Sequence, residues 1–285
     1  MTVKIDGKAV AASIREEIKK EITIINKETG NNVTLAVVLV GDNPASQVYV
    51  RLKEKACHEV GIQSVQHTIP AEVSMKDILN LIDALNADEK VNGILVQLPL
   101  PAHLDADKVL DRIHVDKDVD GFHPLNVGLL SQKLAKLAPC TPAGCIELLD
   151  RYNIPIQGAN AVVIGRSNIV GKPVATMLLH RNATVTICHS KTKDISKVAS
   201  QADIIIAAIG SPRFVTADMV KQGAAVIDVG TSKVDNAIVG DVDYENVYPK
   251  AGWITPVPGG VGPMTIAMLL SNTLLAYKIQ RKLVC

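Results

Sequence analysis

The chain has 285 residues, which at roughly 150 residues per domain predicts two domains. Apolar residues make up 47% and charged residues 21%, ordinary globular usage that excludes a disordered chain. Thirty Lys and Arg against 29 Asp and Glu leave a formal charge of +1, so no global field recruits nucleic acid or an anionic membrane. Two Phe and one Trp make a poor base-stacking platform.

Five cysteines (57, 140, 145, 188 and 285) are an odd number without C-x-x-C spacing. That argues against a disulfide framework or a zinc ribbon and predicts a reducing, cytoplasmic setting. Lys4, Asp6, Lys8 and Arg15 interrupt any apolar leader, and no window approaches the eighteen or so apolar residues of a membrane span.

Short β-branched runs alternate with helical patterns along the chain, the sign of parallel sheets covered by helices. Val10, Ile14, Ile18 and Ile22 mark one face of a first helix. A strand over 34–40 closes at Gly41-Asp42-Asn43-Pro44, and a helix over 46–60 ends at Gly61, suited to a left-handed cap. A strand over 62–69, a helix over 75–87 and a strand over 93–98 follow, then a polar loop over 114–128. Pro139 to Pro142 lead into a connecting helix that runs to about 152. From Gly158 the pattern restarts, with strands over 161–164, 183–188, 203–209 and 224–229 and a helix over 171–181. A last helix begins at Pro263, with Ala267, Leu270, Leu274 and Tyr277 as its apolar stripe.

Ala161 to Val174 reads as a buried strand, a tight turn and a helix start, the context in which a pyrophosphate meets backbone N–H groups. The middle glycine of G-x-G-x-x-G is Ser167 and the last is displaced to Gly171, so a plain strand–helix turn is the bland alternative. The next strand ends at Cys188-His189-Ser190-Lys191-Thr192, with no acid for a ribose hydroxyl. Arg166, Ser190 and Lys191 offer donors and positive charge instead, which favours NADP over NAD.

Tyr49 and Lys53 stand at i and i+4, on one helix face. A lysine held partly out of water releases its proton more readily and can then act as a general base; a solvated lysine on an amphipathic helix is the alternative. Short-chain dehydrogenases share this spacing, but there the pair follows the glycine-rich turn; here it precedes Gly165 by 112 residues, so that assignment fails. Gln97 sits at the carboxyl end of a buried strand, where open α/β sheets bind ligands. Asp116, Asp118 and Asp120 lack the glycine offset and distal Glu of a calcium loop, so no metal is assigned. Pro256 to Thr265 is a glycine-rich loop opening onto a helix N-terminus. On these residues alone, an NADP-dependent dehydrogenase of some other small substrate stays open. A non-catalytic NADP-sensing module would need no Tyr49, Lys53, Gln97 and Asp120.

Taken together and in order, eight segments resemble the bifunctional methylenetetrahydrofolate dehydrogenase/methenyltetrahydrofolate cyclohydrolase family. They are Gly41–Ser46, Tyr49–Lys53, Val96–Pro101, Asp118–Pro124, Cys140–Pro142, Gly165–Pro173, Cys188–Thr192 and Pro258–Thr265. The resemblance implies two α/β domains with an active-site cleft between them. The first, a folate-binding catalytic domain over 1–139, would be completed by the C-terminal helix over 264–285. The second, over 140–263, would be a Rossmann-like doubly wound parallel sheet that binds NADP. It implies a homodimer formed through the nucleotide domains and a role in one-carbon metabolism and purine biosynthesis. Its activity would be oxidation of 5,10-methylenetetrahydrofolate with NADP, then hydrolysis of the methenyl product to 10-formyltetrahydrofolate.

By the same resemblance Lys53 is the catalytic group, Tyr49 stacks near the pterin, and Gln97 hydrogen-bonds the lysine. Asp120 holds the pterin amino group and ring N–H, and Pro263 lines the substrate site. Gly165, Arg166, Ser167, Ser190 and Thr231 would hold NADP. One departure is that Thr231-Ser232 follow Gly230 where the family usually has Ile-Asn, at a position that touches the nicotinamide half of the cofactor in relatives.

Overall fold

The computed structural model describes residues 1–235 and 237–283; Asn236 and residues 284–285, with Cys285 and the end of the expected last helix, lie outside the described residues. β1 (Val3–Lys4) and α1 (Gly7–Thr29) open the chain. β2 (Thr34–Val40), α2 (Pro44–Val60), β3 (Gln63–Ile69), α3 (Met75–Ala87) and β4 (Gly93–Val96) alternate, and α4 (Ala106–Asp111) and α5 (Pro124–Ser131) follow. Next come α6 (Cys140–Arg151), β5 (Asn160–Ile164), α7 (Gly171–His180), β6 (Thr184–Cys188), α8 (Ile195–Ala199), β7 (Ile204–Ala207) and β8 (Ala225–Asp228). The chain continues through β9 (Ser232–Val234), β10 (Ala237–Val239), α9 (Tyr244–Val247), β11 (Trp253–Ile254) and α10 (Val261–Gln280).

The chain divides into two compact units, Met1–Ala12 with Thr141–Thr265, and Ser13–Cys140 with the stretch from Ile266. The sequence reading places residues 1–12 with the folate-binding domain. In the structure they go with the other unit, because β1 pairs in parallel with β11, Val3 opposite Trp253 and Lys4 opposite Ile254. A two-residue strand is too short to carry a periodic signal of its own.

The unit around Ser13–Cys140 is built on a three-stranded parallel sheet in the order β3-β2-β4. β2 is buried along its whole length, as a central strand covered on both faces must be. Ala36, Val38 and Val40 alternate onto one face with Ile94 and Val96, and they pack with Ile78, Ile82 and Leu85 of α3. Period two on the strand meets a three-to-four spacing on the helix. α2 is capped at both ends. Asn43 accepts the N–H groups of Ala45 and Ser46, Pro44 occupies the first turn, and Gly61 closes the helix in the left-handed region.

Two details depart from the sequence reading here. The segment over 114–128, read as a loop, contains a 3-10 turn at Val115–Lys117 and the start of α5. His123 Nδ1 accepts the Leu125 N–H at 3.1 Å and Pro124 stands in the first turn, a capped start whose short apolar helix has no amphipathic period. α10 begins at Val261, two residues before Pro263.

The other unit is built on a six-stranded parallel sheet in the order β1-β11-β8-β7-β5-β6. From β6 to β11 that is the doubly wound 2-1-3-4-5 order, which reverses between β5 and β7. β5, β7 and β8 are almost wholly buried, and Val162, Ile164, Ile205, Ala207 and Val226 share one core with Ala199, Val215 and Val247. Among the described residues no helix is long and apolar enough to cross a membrane.

Candidate active site

In the unit around Ser13–Cys140, Tyr49 and Lys53 lie one turn apart on α2; Tyr49 is half exposed and Lys53 half buried. Gln97 follows β4, its N–H still bonded to Val38 O at 2.9 Å, so the ladder carries its side chain to the carboxyl end of the sheet. Lys53 Nζ donates to Gln97 Oε1 at 3.0 Å, and Gln97 Nε2 donates to Leu98 O at 2.7 Å. The second bond sets the flip of the amide. With its N–H committed to a carbonyl, Gln97 can present only its oxygen to the lysine.

Asp120 lies in a segment held in place from several sides. Asp118 is buried, and its carboxylate accepts the N–H groups of Gly121, Phe122 and His123 together with Asn126 Nδ2, at 2.8–3.3 Å. Lys117 turns its ammonium under the C-terminus of α3 and donates to the carbonyls of Leu85, Asn86 and Asp88, so all three of its protons are used. Asn272 of α10 donates to Val119 O and Ala138 O, both at 2.8 Å. Between these anchors Asp120 is left facing Lys53 and the Cys140 thiol, whose Sγ stands 3.9 Å from Asp120 Oδ1.

Burial pushes the Asp120 carboxyl up to about 6. The charge of Lys53 pulls it back, Asp118 pushes it further up, and the Cys140 hydrogen bond lowers it again. Burial also holds the Cys140 thiol well above its ordinary range, so it stays an S–H donor. Lys53, Gln97 and Asp120 are thus one electrostatic group: an amine oriented by an amide, beside a carboxyl that titrates close to neutrality.

In the other unit, Gly165 ends β5 with φ +127°, and a Cβ there would lie 2.1 Å from Ala208 O. A Cβ on Gly171 would lie 2.3 Å from Gly165 O, so this displaced glycine lets α7 approach the turn. Ser167 Oγ accepts the N–H groups of Val170 and Gly171 at 3.1 and 3.2 Å, and its own proton remains free to donate. Arg166 is exposed, and among the described residues no carboxylate pairs with it. Ser190 is exposed in a turn pinned by His189, whose N–H donates to Thr192 Oγ1 and whose Nδ1 accepts the Lys191 N–H. Thr231 is exposed in the loop after β8, and Pro263 belongs to this unit, in the first turn of α10. The turn from Gly165 follows β5 and Ser190 follows β6, neighbouring strands beside the sheet's switch point, where doubly wound sheets bind dinucleotides.

The sequence reading singles out neither Asn272 nor the buried carboxylates Asp228 and Asp241. Asp228 ends an otherwise apolar buried strand, and a charge at the end of such a run is the signal that could have found it.

A model of the tetrahydrofolate dehydrogenase/cyclohydrolase catalytic domain matches residues 5–120, and one of the NAD(P)-binding domain of the same family matches residues 139–281. The chain is 59% identical over 275 residues to the bifunctional protein FolD of Moorella thermoacetica, covering 96% of this chain and 98% of that protein. Among solved structures it is similar to the bifunctional FolD enzyme of Campylobacter jejuni, with 52% identity, a TM-score of 0.96, and coverage of 98% of this chain and 99% of that one. It is also similar to the Trypanosoma brucei dehydrogenase-cyclohydrolase solved with NADP and an inhibitor, with 40% identity, a TM-score of 0.93, and coverage of 100% and 99%. With both halves matched in order and relatives this similar along nearly the whole length, the chain belongs to the tetrahydrofolate dehydrogenase/cyclohydrolase family.

Proposed function

We propose that this chain oxidises 5,10-methylenetetrahydrofolate with NADP and hydrolyses the resulting methenyl cation to 10-formyltetrahydrofolate. The observation that carries the reading is the bond from Lys53 Nζ to Gln97 Oε1 beside a half-buried Asp120. Bound NADP would supply the hydride acceptor. Gly165, Arg166, Ser167, Ser190 and Thr231 hold it, with the Arg166 guanidinium and the Ser190 hydroxyl on the ribose phosphate. Oxidation takes a hydride from the carbon that bridges two nitrogens and leaves a cation shared between them. This step rests on orientation more than on proton transfer. Asp120 accepts the pterin amino and ring N–H groups, with Tyr49 against the ring.

Hydrolysis is the step that needs a base. Water adds to the cationic carbon, and Lys53, when free of its own proton, takes one from that water as the C–O bond forms. One C–N bond then breaks, its nitrogen keeps the electron pair and gains a proton, and the formyl product is left. Gln97 orients the amine by accepting one of its N–H groups.

We also assign a homodimer through the nucleotide unit and a cytoplasmic setting. β6 is an edge strand with Thr184, Thr186 and Ile187 exposed, and such an edge is usually covered or paired. Among the described residues four cysteines are free and buried, which suits a reducing compartment.

Replacing Lys53 by Met should lower methenyl hydrolysis by about 10²–10⁴-fold, the worth of a positioned base, with the fold intact; a variant hydrolysing at the wild-type rate defeats the assignment. Folate affinity should fall as pH drops through about 6, where Asp120 gains its proton and can no longer accept both pterin donors. Asp120→Asn should bind weakly at every pH, and titration of a folate analogue across pH 5–8 separates the two behaviours. Arg166→Ala should raise the KM for NADP by about 10–100-fold, the loss of a charge-assisted bond, and leave that for NAD nearly unchanged; an equal effect on both removes the phosphate contact. Ile187→Glu on the exposed edge should give monomers in light scattering, whereas an unchanged mass points the dimer elsewhere.

A further inference from the structure

Two buried carboxylates that the proposed steps do not use lie at the carboxyl end of β8. Asp228 is the last residue of that strand, and Asp241 lies just past β10; they are 3% and 0% exposed. Between them β9 and β10 run out as an antiparallel hairpin, with Ser232 opposite Val239 and Val234 opposite Ala237. Asp228 Oδ1 accepts the N–H groups of Gly230 at 3.0 Å and Asp241 at 2.9 Å, and its Oδ2 accepts that of Val242 at 3.0 Å. One carboxylate therefore ties both legs of the hairpin at its base. Asp241 reaches to the neighbouring strand, where its Oδ2 accepts the N–H groups of Ile209 at 2.7 Å and Gly210 at 3.0 Å, just after β7.

The two carboxylates are fitted into each other's surroundings. A Cβ on Gly230 would lie 2.2 Å from Asp241 Cγ, and one on Gly240 would lie 1.9 Å from Asp228 Oδ2. Burial pushes the Asp228 carboxyl up to about 7, against the pull of its three N–H partners. Such a group is costly to bury, and the structure spends it on two loops at the ligand-binding edge of the sheet.

The sheet order says which part of a dinucleotide those loops meet. The phosphate turn follows β5, and the ribose-phosphate donors follow β6 on the outer side, so the other half of the molecule extends over the ends of β7 and β8. We propose that Asp228 and Asp241 are positioning residues for the nicotinamide half of the cofactor, locking the loops after β7 and β8 into one rigid platform at the base of the hairpin. This rests on the reading that the unit binds NADP.

The acceptor count makes the inference testable. Asp228 uses both oxygens, so an amide there turns an N–H₂ group against a backbone N–H. Asp241 uses only Oδ2, and its Oδ1 is buried without a partner among the described residues, so an amide there keeps both bonds. Asp228→Asn and Asp241→Ala should therefore lower the kcat/KM of NADP-dependent oxidation by about tenfold or more, as expected for buried donors left unpaired, and Asp241→Asn should stay within about twofold. Binding of adenosine 2′,5′-bisphosphate, which carries only the other half of the dinucleotide, should stay within about twofold in all three variants, measured by calorimetry on the full-length chain.

If Asp241→Asn is as damaging as Asp228→Asn, if no variant changes oxidation, or if affinity for the bisphosphate falls along with it, the lock is overturned. A wild-type chain that binds no bisphosphate overturns the NADP reading itself and the lock with it.

Discussion

A carboxylate taken out of water beside a strand end has to find N–H donors, and in this chain the search for them shapes both units. Asp118, bridged to Ile94 of β4, collects three backbone N–H groups and an amide, folding the segment after it into the turn that presents Asp120. Asp228 does the same at the end of β8 with three backbone N–H groups. In neither case does the buried acid need a cation. Oriented peptide dipoles take the place of water, and the loop conformation follows from where those dipoles must point.

The same economy appears at the amine. A side-chain amide can be flipped at little cost, so Gln97 alone would specify nothing about Lys53. Its bond to Leu98 O removes the ambiguity and leaves Lys53 facing an acceptor. The neighbouring carboxyl is tuned by opposing influences of burial and charge, which hold it well above the ordinary carboxylate range.

Much of this was legible in the amino-acid order. α3 runs over the expected 75–87, and the stripe of Ile14, Ile18 and Ile22 faces the core. Each of these features is local, with a period or a cap that stands on its own in sequence. Lys53, Gln97 and Asp120 were legible as members of a family pattern, while the bond between the first two depends on a fold that brings residues 53 and 97 together. What the sequence hid was non-local. β1 is two residues whose partner lies some 250 positions away, and Asn272 reaches Val119 and Ala138 across 153 and 134 positions. The segment over 114–128 looked like a loop because its helix is short and the bonds that anchor Lys117 and Asp118 form only in the folded chain.

The pairing of β1 with β11 also bears on how the polypeptide is made. Val3 and Lys4 are synthesised some 250 residues before Trp253 and Ile254, the strand they join. The companion unit waits longer still, since its core includes Leu269, Leu270, Leu274 and Tyr277 of α10. Neither half can finish assembling while the nascent chain is short, and hydrophobic strands stay unshielded through most of translation.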